Sequence, residues 1–538
     1  MYIENNRTLD VIIIGAGFAG LYALHRLRNM GFRCRVFEAG DGVGGTWYWN
    51  RYPGAACDIE SLEYSYSFSE ELEQDWVWTE RFARQPEILA YINHVADRFD
   101  LRRDIQLETR VTSAVFDSNA ARWVVTTNGG DVFSGRFLIM ATGCLSVPKG
   151  VEYHGLDRFK GQSYFTAYWP KDRVDFTGKC VAIVGTGSSA IQCAPIIAQE
   201  AAHLTVFQRT PNFSVPARNR PLTEDEQNAI KAKYRELRRK ERNSNLGIDL
   251  VLAPETRASA QVSEAERREE FERRWQAGGL YFYTSFVDLF VDQSANEELA
   301  NFAREKIRAK VDDPKLAELL CPKDHPFGTK RICADTNYYE TFNRDNVSLV
   351  DVRSNPILEI TETGIRTQQE DLDFDCIVFA TGFDAMTGAI LNINIQGRNG
   401  LLLKDKWADG PKTYLGIMTS GFPNLFITTG PQSPSVLYNM VLGNEFHVEW
   451  ISDCIEHMRR RVLDTVEPED AAEENWVHTV NTIGDATLFT KANSWYVGAN
   501  IPGKPRVIMP YLGGFKSYKE KCESVVANGY DGFAFEAL

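Results

Sequence analysis

The chain has no CxxC pair and no Cys/His spacing of the kind that holds a metal ion; its ten cysteines fall singly at 34, 57, 144, 180, 193, 321, 333, 376, 454 and 522. That scatter excludes a CxxC dithiol centre, predicts no metal site, and makes a reducing cytoplasm the expected setting. Positive charge is also short. With 59 Lys and Arg against 73 Asp and Glu the net charge is −14, so nucleic acid and anionic membrane surfaces would repel the chain. No uninterrupted apolar run reaches the roughly 18 residues of a membrane helix. The nearest candidate, LDVIIIGAGFAGLYAL at 9–24, carries Glu4 ahead of it and Asp10 within it, is broken by Gly15, Gly17 and Gly20, and has no small-residue cleavage site. It is therefore expected to be neither a span nor a signal sequence.

What is there is an ordinary globular composition over 538 residues, more than one hydrophobic core usually supports, so two or more domains are expected. Within 11–20, VIIIGAGFAG is a β-branched run that breaks into G-x-G-x-x-G and continues as LYALHRLRNMG, apolar at helical spacing. Strand, turn and helix in that order predict a dinucleotide site. Gly15 permits the tight turn, Gly17 lets a pyrophosphate approach the backbone, and Gly20 allows strand and helix to pack closely. RCRVFEAG at 33–40 reads as the second strand, ending in Glu38, whose carboxylate can accept hydrogen bonds from a ribose diol.

A second unit repeats this layout: VAIVGTGSSA at 181–190, a helical IQCAPIIAQEAAH, then the strand LTVFQRT at 204–210. Alignment sets Gly185 on Gly15, Gly187 on Gly17, Ala190 on Gly20 and Gln208 on Glu38. The carboxylate that would repel a ribose phosphate is thus missing from the second unit, and Arg209 follows, able to hold one. Unit one suits FAD and unit two NADPH. FLIMATG at 137–143 and CIVFATGFD at 376–384 end alike and are expected to close the two sheets.

The predicted fold is α/β, with two Rossmann-like dinucleotide-binding domains, the FAD domain (1–144 and 383–538) being interrupted by the NADPH domain (145–382). Residues 217–329, rich in charge and helix periodicity, read as a helical insertion. Its basic run at 235–242, with Glu236 and Glu241 interleaved, is expected to be a solvated helix face.

Two longer stretches carry a family likeness. GGTWYWNRYPGAACD at 44–58 matches one signature of the FAD- and NADPH-dependent (type I) Baeyer-Villiger monooxygenases; FKGQSYFTAYWP at 159–170 matches the other, F-x-G-x-x-x-H-x-x-x-W-P, with Phe165 at the histidine place. The chain resembles that family over nearly its whole length. The resemblance implies that NADPH reduces FAD, that O2 then forms a flavin peroxide, and that a fixed cation keeps this peroxide anionic for attack on a ketone, giving an ester or lactone and water. By the same resemblance the cation is Arg331, in GTKRICADTNYYETFNRDN, with Asp58 to orient it.

Further implied cofactor contacts are Thr46 and Trp47 of the first signature, Ser188 at the second turn, Thr210 and Lys330 beside Arg209 on the ribose phosphate, and Trp495 on the nicotinamide side. Pro434, Ser435, Val436 and Leu437, in TTGPQSPSVLYNM, are implied to line the ketone site. The expected partners are a small ketone and O2, and the expected state is a monomer or weak oligomer. Phe165 cannot make the hydrogen bonds of an imidazole, so any polar tie between the domains there must be absent or replaced.

The competing readings are an N- or S-oxygenating flavoprotein, which needs no Asp58–Arg331 pair, a weakly active or uncoupled NADPH-binding flavoprotein, and a non-catalytic NADPH-binding sensor, for which Phe165 is the sole support. A disulfide reductase is disfavoured by the missing CxxC.

Overall fold

The computed structural model describes residues 7–151, 153–249 and 252–537. The chain begins as read from the sequence: β1 (Thr8–Ile14), α1 (Phe18–Asn29) and β2 (Cys34–Phe37) form a strand–helix–strand unit. β3 (Ile105–Gln106) adds in parallel to β2, while β4 (Val111–Asp117), β5 (Arg122–Thr127) and β6 (Val132–Met140) meander antiparallel until β6 lands parallel to β1.

Five later strands make a second, wholly parallel sheet: β7 (Gln162–Phe165), β8 (Cys180–Val184), β9 (His203–Gln208), β10 (Val347–Asp351) and β11 (Cys376–Phe379), ordered β10-β9-β8-β11-β7. Helix α2 (Ser188–Glu200) joins β8 to β9. The chain then returns to the first sheet with β12 (Asn394–Gln396) on β4 and β13 (Leu425–Ile427) on β6, both parallel. The order β3-β2-β1-β6 in the first sheet therefore repeats as β10-β9-β8-β11 in the second. The fold is α/β with two Rossmann-like sheets.

Both sheets are covered on two faces, which is why their central strands read as unbroken apolar runs. Val11 and Ile13 of β1 enter a core shared with α1 and the long helix α3 (Met440–Arg461), whereas Leu9, Ile12 and Ile14 enter another with Trp123, Phe422 and Leu425. In β8, Val181 and Ile183 face α2, and Ala182 and Val184 face the opposite side with Phe379. Among the described residues no helix is long and apolar enough to cross a membrane.

Residues 217–329 are largely helical, but they do not behave as one body. Helix Glu264–Ala277 begins with a capping box between Ser263 and Glu266 and ends at Gly278, whose φ is +71°. With helix Gln293–Lys310 it builds a separate apolar cluster around Phe271, Trp275 and Phe302. Helices Glu224–Lys231 and Tyr234–Glu241 instead lie on the first sheet's side, where Tyr234 joins the α1 and α3 core. The solvated basic face expected at 235–242 is only partly found. Lys240 and Glu236 pair on the surface at 3.3 Å, but Arg238 is buried and binds Glu73 at 2.7 Å and Glu241 at 3.0 Å, while Arg242 binds Glu449 at 2.9 Å. Charges of opposite sign from separate segments satisfy one another there, so burial becomes tolerable.

Phe165 closes β7, and its ring stacks on Phe379 of β11 at 5.1 Å and 23°. It faces its own sheet. The stretch 159–170 touches the first sheet's domain at its far end, where Tyr168 meets the edge of Trp49 at 5.9 Å. A polar tie follows immediately, from Lys171 Nζ to Asp41. The histidine place is thus no bridge in this chain, and Lys171 supplies the cross-domain charge pair instead.

Candidate active site between the two sheets

The two glycine turns are built alike because the strand ends beside them demand it. Gly15 has φ +104° and Gly185 has φ +121°; a Cβ on either would lie 2.4 Å from a backbone oxygen, that of Ala141 in the first unit and of Ala380 in the second. Those alanines belong to the two ATG sequences after β6 and β11. Gly17 and Gly187 are the N-caps of α1 and α2, and neither helix start receives a side-chain cap. The first amides of both helices are left open to a phosphate. At Gly187 an added Cβ would meet no atom within 4 Å, so the approach of a ligand backbone is unobstructed. These residues fit a dinucleotide at each turn.

Glu38 is buried at the end of β2 and accepts backbone N–H bonds from Ala16 and Gly40, both at 2.8 Å. It ties the glycine turn to the turn after β2. In the second unit Gln208 donates to Leu319 O at 2.7 Å instead, and the equivalent tie runs from Thr186 Oγ1 to Thr210 O at 2.6 Å. The first turn also packs against the signature stretch: Gly45 sits so close that a Cβ on Gly17 would lie 3.3 Å from its Cα.

From there the signature crosses to the second sheet. Gly54, at φ +80°, abuts α2 so tightly that a Cβ would lie 2.3 Å from Gln192 O. Tyr52 Oη donates to Gln192 Oε1 at 2.8 Å, and Gln192 Nε2 donates to Ala56 O at 3.0 Å. Asp58 follows, and its carboxylate receives Arg331: Nε at 2.9 Å to Oδ2, and Nη2 at 2.8 and 2.7 Å to Oδ1 and Oδ2. Arg331 Nη1 donates to Val436 O at 2.8 Å. One guanidinium therefore gathers the first signature, the end of the helical insertion and the loop after β13. Four hydrogen bonds are made by a group with five N–H donors. Burial opposes its charge, but Asp58, with the Tyr496 and Tyr283 phenols nearby, holds Arg331 protonated well above its ordinary range.

A cavity of about 1040 Å³ opens beside this pair. Asp58, Arg331, Thr46 and Trp47 line it on one side, and Gly185, Gly187, Ser188, Arg209, Thr210 and Lys330 on the other; half-buried Trp495 lines it as well. Gly15, Gly17, Gly20 and Glu38 lie outside this cavity, at the first turn. Of the four residues expected to line a ketone, Val436 alone does so. Pro434, Ser435 and Leu437 lie off its lining here: Ser435, at φ +47°, turns its hydroxyl back onto Thr429 O at 3.0 Å, and half-buried Leu437 joins an apolar cluster that includes Val507 and Leu512. Tyr438 and Met440 take their place on the wall.

Sequence reasoning missed several residues here. Lys149, Tyr52, Gln192 and Leu145 also line the cavity. Tyr496 and Tyr283 stand behind Arg331, and the phenol of Tyr283 accepts Ile332 N–H at 3.4 Å. Tyr52 lies within the signature at 44–58 and could have been read from it; the others carry no motif spacing, since each reaches the site through the docking of one segment on another.

Residues 12–266 match the family described as pyridine nucleotide-disulphide oxidoreductase. Both glycine turns fall within the matched residues, and all ten cysteines are unpaired. Over 530 residues the chain is 43% identical to the acetone monooxygenase (methyl acetate-forming) of Gordonia sp. (strain TY-5), covering 98% of this chain and 99% of that one. It is 41% identical over 535 residues to a Baeyer-Villiger monooxygenase of Pseudooceanicola batsensis, covering 98% and 97%. The solved structure of an oxidized steroid monooxygenase bound to NADP superposes with a TM-score of 0.95 at 53% identity, covering 99% of this chain and 100% of that one. The shared length, the two nucleotide turns and the Asp58–Arg331 pair converge on one conclusion: this chain belongs to the FAD- and NADPH-dependent Baeyer-Villiger monooxygenases.

Proposed function

We propose that Arg331, oriented by Asp58, is the catalytic cation of a reaction that converts a ketone, O2, NADPH and a proton into an ester or lactone, NADP+ and water. The observation that carries this reading is the multiply bonded Asp58–Arg331 pair on the wall of the cavity that the second glycine turn also lines. When bound, FAD and NADPH supply the electrons that activate O2. The chain's own part is electrostatic. A guanidinium fixed by a carboxylate and a carbonyl needs no reorganisation to face an oxygen on which negative charge develops, and its charge does not titrate near neutral pH.

Gly15, Gly17, Gly20, Glu38, Thr46 and Trp47 would hold FAD; Gly185, Gly187, Ser188, Arg209, Thr210 and Lys330 would hold NADPH, with Trp495 over its nicotinamide end. Leu145, Val436, Tyr438 and Met440 give the ketone an apolar wall, which favours apolar ketones; the family resemblance favours small aryl or cyclic ones among them. We assign 1–144 with 383–538 to the FAD domain and 145–382 to the NADPH domain, supported by the return of β12 and β13 to the first sheet. The unpaired cysteines support a reducing cytoplasm, and the reading includes a monomer or weak oligomer.

The test is Arg331→Ala. We expect NADPH to reduce the flavin at close to the original rate while ester or lactone falls at least about 1000-fold, followed by stopped-flow absorbance and gas chromatography. Product formation at a tenth of the original rate or more would reject the assignment.

A further inference from the structure

We propose that Arg353 is a further specificity residue for the 2′-phosphate of the nicotinamide cofactor, held ready by Asp324 at the edge of the cavity. The inference rests on the reading that Arg209 and Lys330 face that phosphate. Arg353 follows Val352, a lining residue just after β10. Its Nη2 donates to Thr210 Oγ1 at 3.1 Å and also to Asp324. Thr210 lines the cavity next to Arg209. The guanidinium is therefore one hydroxyl away from the place where a ribose phosphate would sit.

Asp324 is anchored from behind. Its other oxygen binds His325 Nδ1 at 2.7 Å, and the His325 side chain is 1% exposed, edge-on to Phe213 at 5.4 Å. Burial keeps His325 on the neutral side, and the bonds from His325 and Arg353 keep Asp324 ionised. Lys330 is drawn into the same field: burial lowers its pKa, Asp324 offsets that, and Arg209 and Arg353 lower it further. Lys149 adds a cation beside Arg209. Arg353 and Lys330 thus face Asp324 while Arg209 and Lys149 add charge beside Lys330 and one another, an excess that a phosphate monoester, with a charge of about −1.5 to −2, would neutralise. A 2′-hydroxyl would not.

A purely structural role is weak, because the Arg353–Asp324 pair is 50% and 32% exposed and such surface pairs contribute little to stability. The two roles also differ in what they move. As a specificity residue, Arg353 acts on ligands with a 2′-phosphate only.

The experiment is isothermal titration of the FAD-loaded enzyme with NADP+, NAD+ and adenosine 2′,5′-bisphosphate, with steady-state KM and kcat for NADPH alongside. For Arg353→Gln we expect affinity for NADP+ and for the bisphosphate to fall about 10-fold, NAD+ affinity to change less than about twofold, and KM for NADPH to rise with kcat retained. Asp324→Asn keeps an acceptor but removes the opposing charge, so both phosphorylated ligands should bind about two- to fivefold tighter. Parallel losses for NADP+ and NAD+ in Arg353→Gln, or no change in either, would overturn the proposal. So would weaker bisphosphate binding by Asp324→Asn. Arg209→Gln separates the layers: if it abolishes the preference for NADP+ while Arg353→Gln keeps it, this inference alone fails. If the unaltered enzyme shows no such preference, the underlying phosphate site fails too.

Discussion

At the first glycine turn the chain fills its own space: Gly45 sits against Gly17, and Glu38 ties the loops at residues 16 and 40 through two backbone N–H groups. At the second turn nothing lies within 4 Å of a Cβ on Gly187, and the loops are joined by the Thr186 hydroxyl to Thr210. Strand order, helix start and the glycine forced by the ATG strand are the same in both. One turn is thus a closed, carboxylate-bound frame and the other an open, cation-rimmed one. The difference suits a cofactor that stays and a cofactor that comes and goes, because the closed turn buries its ties while the open one leaves a cavity wall.

The sharpest way to break this comparison is at Gly20 and Ala190. A Cβ on Gly20 would lie 1.8 Å from Gly15 O, whereas Ala190 already carries one and is buried without strain. Gly20→Ala should cost at least about 3 kcal/mol and yield protein without flavin absorbance; Ala190→Gly should cost about 1 kcal/mol and stay yellow. Equal thermal shifts would erase the asymmetry.

Glu38→Gln comes next. It keeps one acceptor and turns an amide N–H₂ toward a backbone N–H, leaving a buried group unpaired at a cost of about 2 kcal/mol. Melting with and without added FAD should show the loss, larger in the sample with FAD, where weaker cofactor binding adds to it. Thr186→Val removes one hydroxyl donor in the second unit, so a loss of about 1 kcal/mol should appear as a few-fold rise in the KM for NADPH, with FAD content unchanged. The smallest effect is expected for Phe165→His. Since Phe165 faces Phe379 and not the first domain, product formed per NADPH consumed should change by less than about a fifth, because the exchange removes part of one ring stack and no contact at the cavity. A large rise in coupling would show that the histidine place does link the domains.

The parts legible in sequence were those set by short-range spacing. G-x-G-x-x-G places three glycines on one turn and the first turn of one helix, and the repeat at 185–190 with its own ATG strand predicted a second unit of the same layout. The family signatures pointed to Asp58 and Arg331. Position on the wall was harder: Ser435 sits in the expected loop, but its φ is positive and its hydroxyl finds Thr429 O. Arg238 read as a surface charge and is buried, since the carboxylate of Glu73 lies 165 residues away.

The sequence by itself determined the two nucleotide units and their likeness, because backbone sterics at glycine and the apolar runs of doubly covered strands act within a few residues of themselves. Only the tertiary structure decided what stands between them. Arg331 and Asp58 are separated by 273 positions, and they meet because Gly54 admits α2, Gln192 clasps the signature stretch from the second sheet, and Val436 O fixes the guanidinium from a third segment. No local periodicity encodes such a meeting; it follows from how two sheets dock.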